Sequence, residues 1–231
     1  MRILGLIGGI SWVSTIDYYR MINQGINQKL GDLNFAECMI HSFNYQDIKR
    51  NNDAEDWDNT LKMLTQASLN MKNSGAEAIV LCANTMHMIA DQLEQNVQLP
   101  LIHIATATAN VISARKIKKV GLLGTKFTME RPFFRGKLIQ QGIEVLIPDD
   151  NEREFIHYTI FEELGRSLFK PETKQFYLDV MRKLADRGAE GIVMGCTEIP
   201  LLISPDDIDI SLFDTAQIHS DAAVEFALSD Q

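Results

Sequence analysis

Gly75-Ala76-Glu77-Ala78-Ile79-Val80-Leu81-Cys82-Ala83-Asn84 and Gly188-Ala189-Glu190-Gly191-Ile192-Val193-Met194-Gly195-Cys196-Thr197 are two copies of one pattern. Each opens on Gly-Ala-Glu, passes through a short run of strand character and ends in a polar turn. An earlier pair has the same relation: Ile3-Leu4-Gly5-Leu6-Ile7-Gly8-Gly9 is echoed by Lys119-Val120-Gly121-Leu122-Leu123-Gly124-Thr125. Gly5 to Gly75 spans 70 residues and Gly121 to Gly188 spans 67. One match would be a generic helix–turn–strand junction. Two matches in the same order and at nearly the same spacing describe a duplicated lobe.

The residues between the copies supply the rest of each lobe. Arg2–Ile7 reads as a strand. Ser14–Leu30 reads as a helix, with Ile16, Tyr19, Ile22 and Ile26 at steps of three or four along one face. Ser14 and Asp17 fit a capping box. Ala36–Phe43 is a second strand. Asp56–Ser74 is a helix with Trp57, Leu61, Leu64, Ala67 and Met71 on its apolar stripe, and Gly75 stands where a C-cap belongs. Ala78–Cys82 follows as a strand. Alternation of β and α segments predicts mostly parallel sheets flanked by helices, hence an α/β fold of two pseudo-symmetric lobes. The expected first lobe is 1–99 plus 209–231 and the second 100–208, with Leu99–Ile104 crossing between them and the return near Ser204–Asp207. Asp214–Leu228 reads as a final helix.

The remaining composition narrows the function classes. The chain has 231 residues, 22 of them basic and 31 acidic, for a formal net charge of −9. A nucleic-acid backbone or an anionic membrane would be repelled at long range. The N-terminus lacks the basic region and cleavage site of a secretory signal, and no run reaches the length of a membrane span. Cys38, Cys82 and Cys196 show no metal-ligand spacing, so no metal is expected and a cytoplasmic location is.

In open α/β sheets ligands gather beyond the C-terminal strand ends. Ala83-Asn84-Thr85 and Cys196-Thr197-Glu198 both stand at such ends, and two facing lobes would set them across one cleft. Cys196 lies between a glycine and two polar residues, a setting that suits a catalytic thiol and a structural one equally. Cys82 aligns with Gly195, and Ala83 with Cys196. Adjacent strand residues point to opposite faces, so Cys82 is expected in the core or in a supporting place, and Cys38 in a structural one. The Gly8–Thr15 turn, with Gly9, Ser11, Ser14 and Thr15, offers amides and hydroxyls to an anion or simply turns the chain into its helix. It lacks the third glycine of a dinucleotide site. Asn84, Thr85, Thr197 and Glu198 are candidate binding residues, and Asn84, Thr85 and Thr197 could equally cap helices. His87 is either a packing histidine or an auxiliary proton carrier. Arg131, Arg135 and Lys137 are expected to face solvent.

Gly8-Gly9-Ile10-Ser11-Trp12-Val13-Ser14-Thr15, Asn84-Thr85-Met86-His87 and Gly195-Cys196-Thr197-Glu198 together resemble the aspartate/glutamate racemase superfamily, specifically its aspartate racemase branch. The likeness runs over essentially the whole chain. It implies racemisation of an acidic amino acid without pyridoxal phosphate or metal, often by a homodimer, using two opposed cysteines. One thiolate removes the α-proton and the other thiol delivers one to the opposite face. The second family cysteine falls on Cys196. The first falls on Ala83, one residue beyond Cys82. By this resemblance the substrate is aspartate, or glutamate, and Lys49 and Arg50 stand loosely where a distal carboxylate would be held. The missing cysteine leaves two further readings: a broad-specificity or one-handed racemase, and a decayed amino-acid or carboxylate-binding protein.

Overall fold

The computed structural model describes residues 1–229. Asp230 and Gln231, the end of the stretch assigned to the first lobe, lie outside the described residues. The chain forms two compact units, one of Met1–His103 with the segment from His219, the other of Ile104–Ile218.

The first unit runs β1 (Leu4–Gly8), α1 (Trp12–Leu30), β2 (Cys38–Ser42), α2 (Tyr45–Asp53), α3 (Trp57–Asn73), β3 (Ala78–Leu81), a 3-10 turn (Thr85–Ile89), α4 (Ala90–Val97) and β4 (Leu101–Ile102). The second contains α5 (Ile104–Ala114), β5 (Lys119–Leu123), α6 (Lys126–Glu130), α7 (Pro132–Gln140), β6 (Glu144–Leu146), α8 (Asp150–Glu162), α9 (Pro171–Asp186), β7 (Gly191–Met194), α10 (Ile199–Leu202) and β8 (Ser211–Asp214). Helix α11 (Thr215–Leu228) begins there and carries the chain back to the first unit.

All strand pairs are parallel. The sheets have the orders β2-β1-β3-β4 and β6-β5-β7-β8, which are the same topology written twice. The duplicated α/β reading of the sequence is therefore met in the backbone. Its register is visible in one bond from each copy: Cys82 N–H donates to Ile7 at 2.9 Å, and Gly195 N–H donates to Leu123 at 2.7 Å. Gly5 and Gly121 occupy matching places on β1 and β5. A Cβ at Gly5 would meet Met71 Sδ at 3.0 Å, and one at Gly121 would meet Leu184 Cδ1 at 2.9 Å. Each glycine thus lets a helix, α3 or α9, lie close on its sheet. Ile7, Leu64, Met71 and Ile79 fill the first core, and Leu122, Phe134, Tyr177 and Ile192 belong to the second.

Several local expectations change. Helix α1 starts at Trp12 behind the N-cap residue Ser11, so Ser14 lies inside it and forms no capping box with Asp17. Its buried face carries Tyr18, Met21, Ile22 and Ile26, whereas Ile16 and Tyr19 are exposed. The apolar residues of this helix cover two faces, and periodicity alone merged them. Asp56 caps α3 by accepting from Asn59 N–H at 3.0 Å. The units part at His103/Ile104 and Ile218/His219, against the expected 99/100 and 208/209. β4 pairs with β3 and β8 with β7, so each crossing lies beyond a strand that its own sheet retains.

Candidate active site

In the first unit, β1 ends at Gly8 and the chain turns at Gly9 with φ 79°. A Cβ at Gly9 would sit 2.2 Å from the Phe43 carbonyl oxygen, so only glycine passes there without displacing backbone. Thr15 Oγ1 accepts from Gly9 N–H at 2.9 Å and donates to the Ser11 carbonyl at 2.9 Å. Ser14 Oγ lies 3.0 Å from the Ser11 carbonyl and 3.2 Å from that of Cys82, so its one proton serves either. Ser14 and Thr15 are buried, and their hydroxyls tie the turn to itself and to the end of β3. The Gly9 amide is likewise engaged internally. Ser11 stays half-buried, and its side chain does not cap α1.

At the end of β3, Cys82 is 1% exposed. Burial, and then the neighbouring Cys38, push its thiol far above the ordinary range. Ala83 and Thr85 are half-buried and Asn84 is buried. His87 lies beneath this turn, with Nδ1 3.1 Å from the Ala83 carbonyl and 3.2 Å from that of Asn84. The first unit therefore gathers Gly9, Ser11, Ser14, Thr15, Cys82, Ala83, Asn84, Thr85 and His87 around adjoining strand ends.

The second unit supplies Cys196, Thr197 and Glu198 just after β7, all half-buried. Gly124 and Gly195 allow the ends of β5 and β7 to approach, since a Cβ at Gly195 would stand 2.8 Å from the Leu123 carbonyl. Cys196 Sγ–H donates to Glu198 Oε2 at 2.8 Å, and Thr197 Oγ1 donates to the same oxygen at 2.8 Å. Burial, then the Glu198 charge and its hydrogen bond, hold the Cys196 thiol well above its ordinary value. The Thr197 and Glu198 backbone amides pull the other way. The resting thiol is neutral and donates its hydrogen to the Glu198 carboxyl group.

Other candidates stand apart. Lys49 bonds to Asp53 at 2.5 Å and Arg50 lies 3.7 Å from Asp47, each an exposed pair within α2. Arg135 is half-buried instead of solvent-facing, and its Nε is shielded with no hydrogen-bond partner among the described residues. Lys137 is also half-buried, and only Arg131 of the three is exposed. Among the described residues, no group of three or more His, Cys, Asp or Glu is placed to hold a metal ion. No described helix is long and apolar enough to cross a membrane. Sequence reasoning placed Glu198 with the binding residues. Its position two residues after Cys196 in a turn was the available signal for the hydrogen bond to the thiol.

The Asp/Glu/hydantoin racemase family matches residues 7–223. The chain belongs to that family. It is an amino-acid racemase, an isomerase, and its whole-length likeness is to the aspartate racemase branch. A candidate Asp/Glu racemase from Yersinia pestis is 46% identical, with a TM-score of 0.95, the match covering 99% of this chain and 100% of that one. An aspartate racemase homologue from Pyrococcus horikoshii is 35% identical with a TM-score of 0.88 and the same coverage. RacX of Bacillus subtilis, a broad-specificity amino-acid racemase, is 22% identical over 238 residues, with 99% of each chain covered.

Proposed function

We propose that the protein racemises an acidic amino acid, aspartate first and glutamate second, by moving the α-proton without pyridoxal phosphate or metal. The observation that carries this reading is the Cys196–Glu198 pair. Glu198 takes the thiol proton, and the Cys196 thiolate removes the α-proton and becomes a thiol again. The α-carbanion then takes a proton on its other face. Ala83 stands at the first-cysteine position and its methyl has none to give, so water supplies it, and the hydroxide left behind takes back the proton held by Glu198. In this reading Asn84, Thr85 and Thr197 hold the α-carboxylate and ammonium, and Ser11 adds its hydroxyl.

A second reading, a broad-specificity racemase, is supported by Lys49 and Arg50, which are engaged with their own helix's carboxylates. A homodimer is part of the proposal, supported by Trp12, Val13, Ile16 and Tyr19, which form an exposed apolar face along α1. The three free cysteines support a reducing, cytoplasmic setting.

The test is incorporation of solvent deuterium at Cα of aspartate, glutamate and neutral amino acids. Cys196→Ala should lower exchange by about 10²–10⁴, the contribution of one placed proton-transfer group, with the fold kept. Exchange at the parent rate in that variant removes Cys196 from the chemistry. Absence of exchange in the parent with every amino acid leaves the binding-protein reading in its place.

A further inference from the structure

Four side chains from distant parts of the sequence meet beneath the Ala83–Thr85 turn. His87 is 2% exposed and His219 fully buried. The His87 ring centroid lies 4.8 Å from that of His103 and 5.3 Å from that of His219. His219 Nε2 is 2.5 Å from the Ile102 carbonyl, and its Nδ1 is 2.9 Å from Tyr18 Oη. A carbonyl only accepts, so His219 carries its proton on Nε2 and receives the Tyr18 hydroxyl at Nδ1. The His87 proton likewise sits on Nδ1, facing the Ala83 and Asn84 carbonyls. His87 Nε2 is sealed from solvent with no hydrogen-bond partner among the described residues.

We propose that His87 is a positioning residue, not a proton carrier: its Nδ1–H holds the Ala83 and Asn84 carbonyls, while Tyr18, His103 and His219 fix its ring. The proposal rests on the reading that this turn binds substrate. A carrier needs a ring nitrogen that reaches the reacting carbon and can change charge. One nitrogen of His87 is committed to two carbonyls and the other is enclosed. Burial, then the neighbouring His103 and His219, disfavour its charged form. What the network does is transmit placement. Tyr18 on α1, Ile102 on β4 and His219 on α11 set one ring, and that ring sets the carbonyls of the residues that precede Thr85.

Asparagine and glutamine separate the two roles, because an Asn amide nitrogen stands near the place of Nδ1 and a Gln amide near that of Nε2. His87→Asn should keep Cα exchange within about tenfold of the parent, while His87→Gln falls by about 10²-fold, the cost of roughly 1 Å of misplacement. Neither variant should shift the pH midpoints of exchange. Equal losses in both with a displaced pH limb would make His87 a carrier. Equal retention, or a better Gln variant, would remove the positioning role. Nitrogen-15 NMR of the parent without substrate gives an independent reading. His87 should carry Nδ1–H, and the His87 amide, which donates to Asn84 at 3.0 Å, should lose hydrogen-exchange protection in the Gln variant only. A His87 Nε2–H tautomer, or unchanged protection in both variants, overturns the proposal. If the parent exchanges no amino acid, the functional reading fails, and the NMR result still decides this one.

Discussion

His219 gives a stability test that needs no substrate. It is fully buried, and burial, the larger effect, together with nearby His103, lowers its pKa to about 4, against the bond to the Ile102 carbonyl. In the unfolded chain a histidine titrates near 6.5. As pH falls from about 6.5 to about 4 the unfolded chain takes up this proton and the folded chain does not, so stability is lost across that window. A difference of about 2.5 pKa units at 1.36 kcal/mol each is about 3 kcal/mol. Below pH 4 both states hold the proton and this contribution levels off. His87 pulls in the same direction, and Tyr18 and His103 are the other titratable groups packed there. The perturbation is His219→Gln, whose amide N–H can still donate toward Ile102 while the Tyr18 hydroxyl loses an acceptor. At pH 7 the variant should be less stable by about 1–3 kcal/mol, the cost of a buried polar group left short of a partner. The gap should close or reverse as pH falls, by about 3 kcal/mol in total. Urea unfolding of parent and variant at pH 7, 6, 5 and 4 measures it. A gap constant across that range would refute the claim that His219 is held neutral in the fold.

Gly9→Ala should destabilise more than Gly142→Ala. The two glycines share φ near +75° to +79°, but only at Gly9 does a Cβ strike backbone, whereas nothing lies within 4 Å at Gly142. The difference in urea midpoints should correspond to about 1–3 kcal/mol, the usual cost of overpacking, and equal midpoints would contradict the described turn. If Cys196 alone serves one face of the substrate, as proposed, the two hands of aspartate should exchange deuterium at unequal rates. Ala83→Cys should raise racemisation by about 10²-fold and narrow that inequality. Cys82→Ala should leave both rates near the parent's, and its abolition of exchange would reassign the chemistry to Cys82.

The fold was legible because it is written twice. Gly5 and Gly121 each mark a place where a helix lies close to a strand, and Gly75 and Gly188 each turn the chain at positive φ, 106° and 94°, so the same steric need recurs in both copies. Helix faces were less legible. Ile16 and Tyr19 have the spacing of core residues yet are exposed, since periodicity reports an apolar side without saying what covers it. The strand-end candidates were legible one by one, but their hydrogen bonds were not. Ser14 and Thr15 looked free to bind an anion, and they spend their hydroxyls on Ser11, Gly9 and Cys82. The Tyr18–His219 and His87–His103 contacts left no sequence signal, because residues as much as 201 positions apart meet only after the sheet and α11 are in place.

The two copies also account for the lopsidedness of the proposed chemistry. Had the first copy slipped by one residue, Cys82 would be a displaced version of Cys196, and its backbone would bond differently from its counterpart. Instead Cys82 N–H meets Ile7 as Gly195 N–H meets Leu123, so the strands are in equivalent register and the side chains are what differ. In the second copy glycine occupies the inner place, letting the strand ends close on Leu123, and the thiol comes next, beside a carboxylate. In the first copy a buried thiol fills that inner place, carried on backbone, and a methyl comes next. Burial pushes both thiols up, and what separates them is the partner: Cys196 Sγ donates to the Glu198 carboxyl group, whereas Cys82 Sγ lies 3.9 Å from the Val80 carbonyl. The asymmetry therefore comes from residue identity at 83 and 196, not from a shifted strand, and in the proposed mechanism proton movement rests on Cys196 with Glu198.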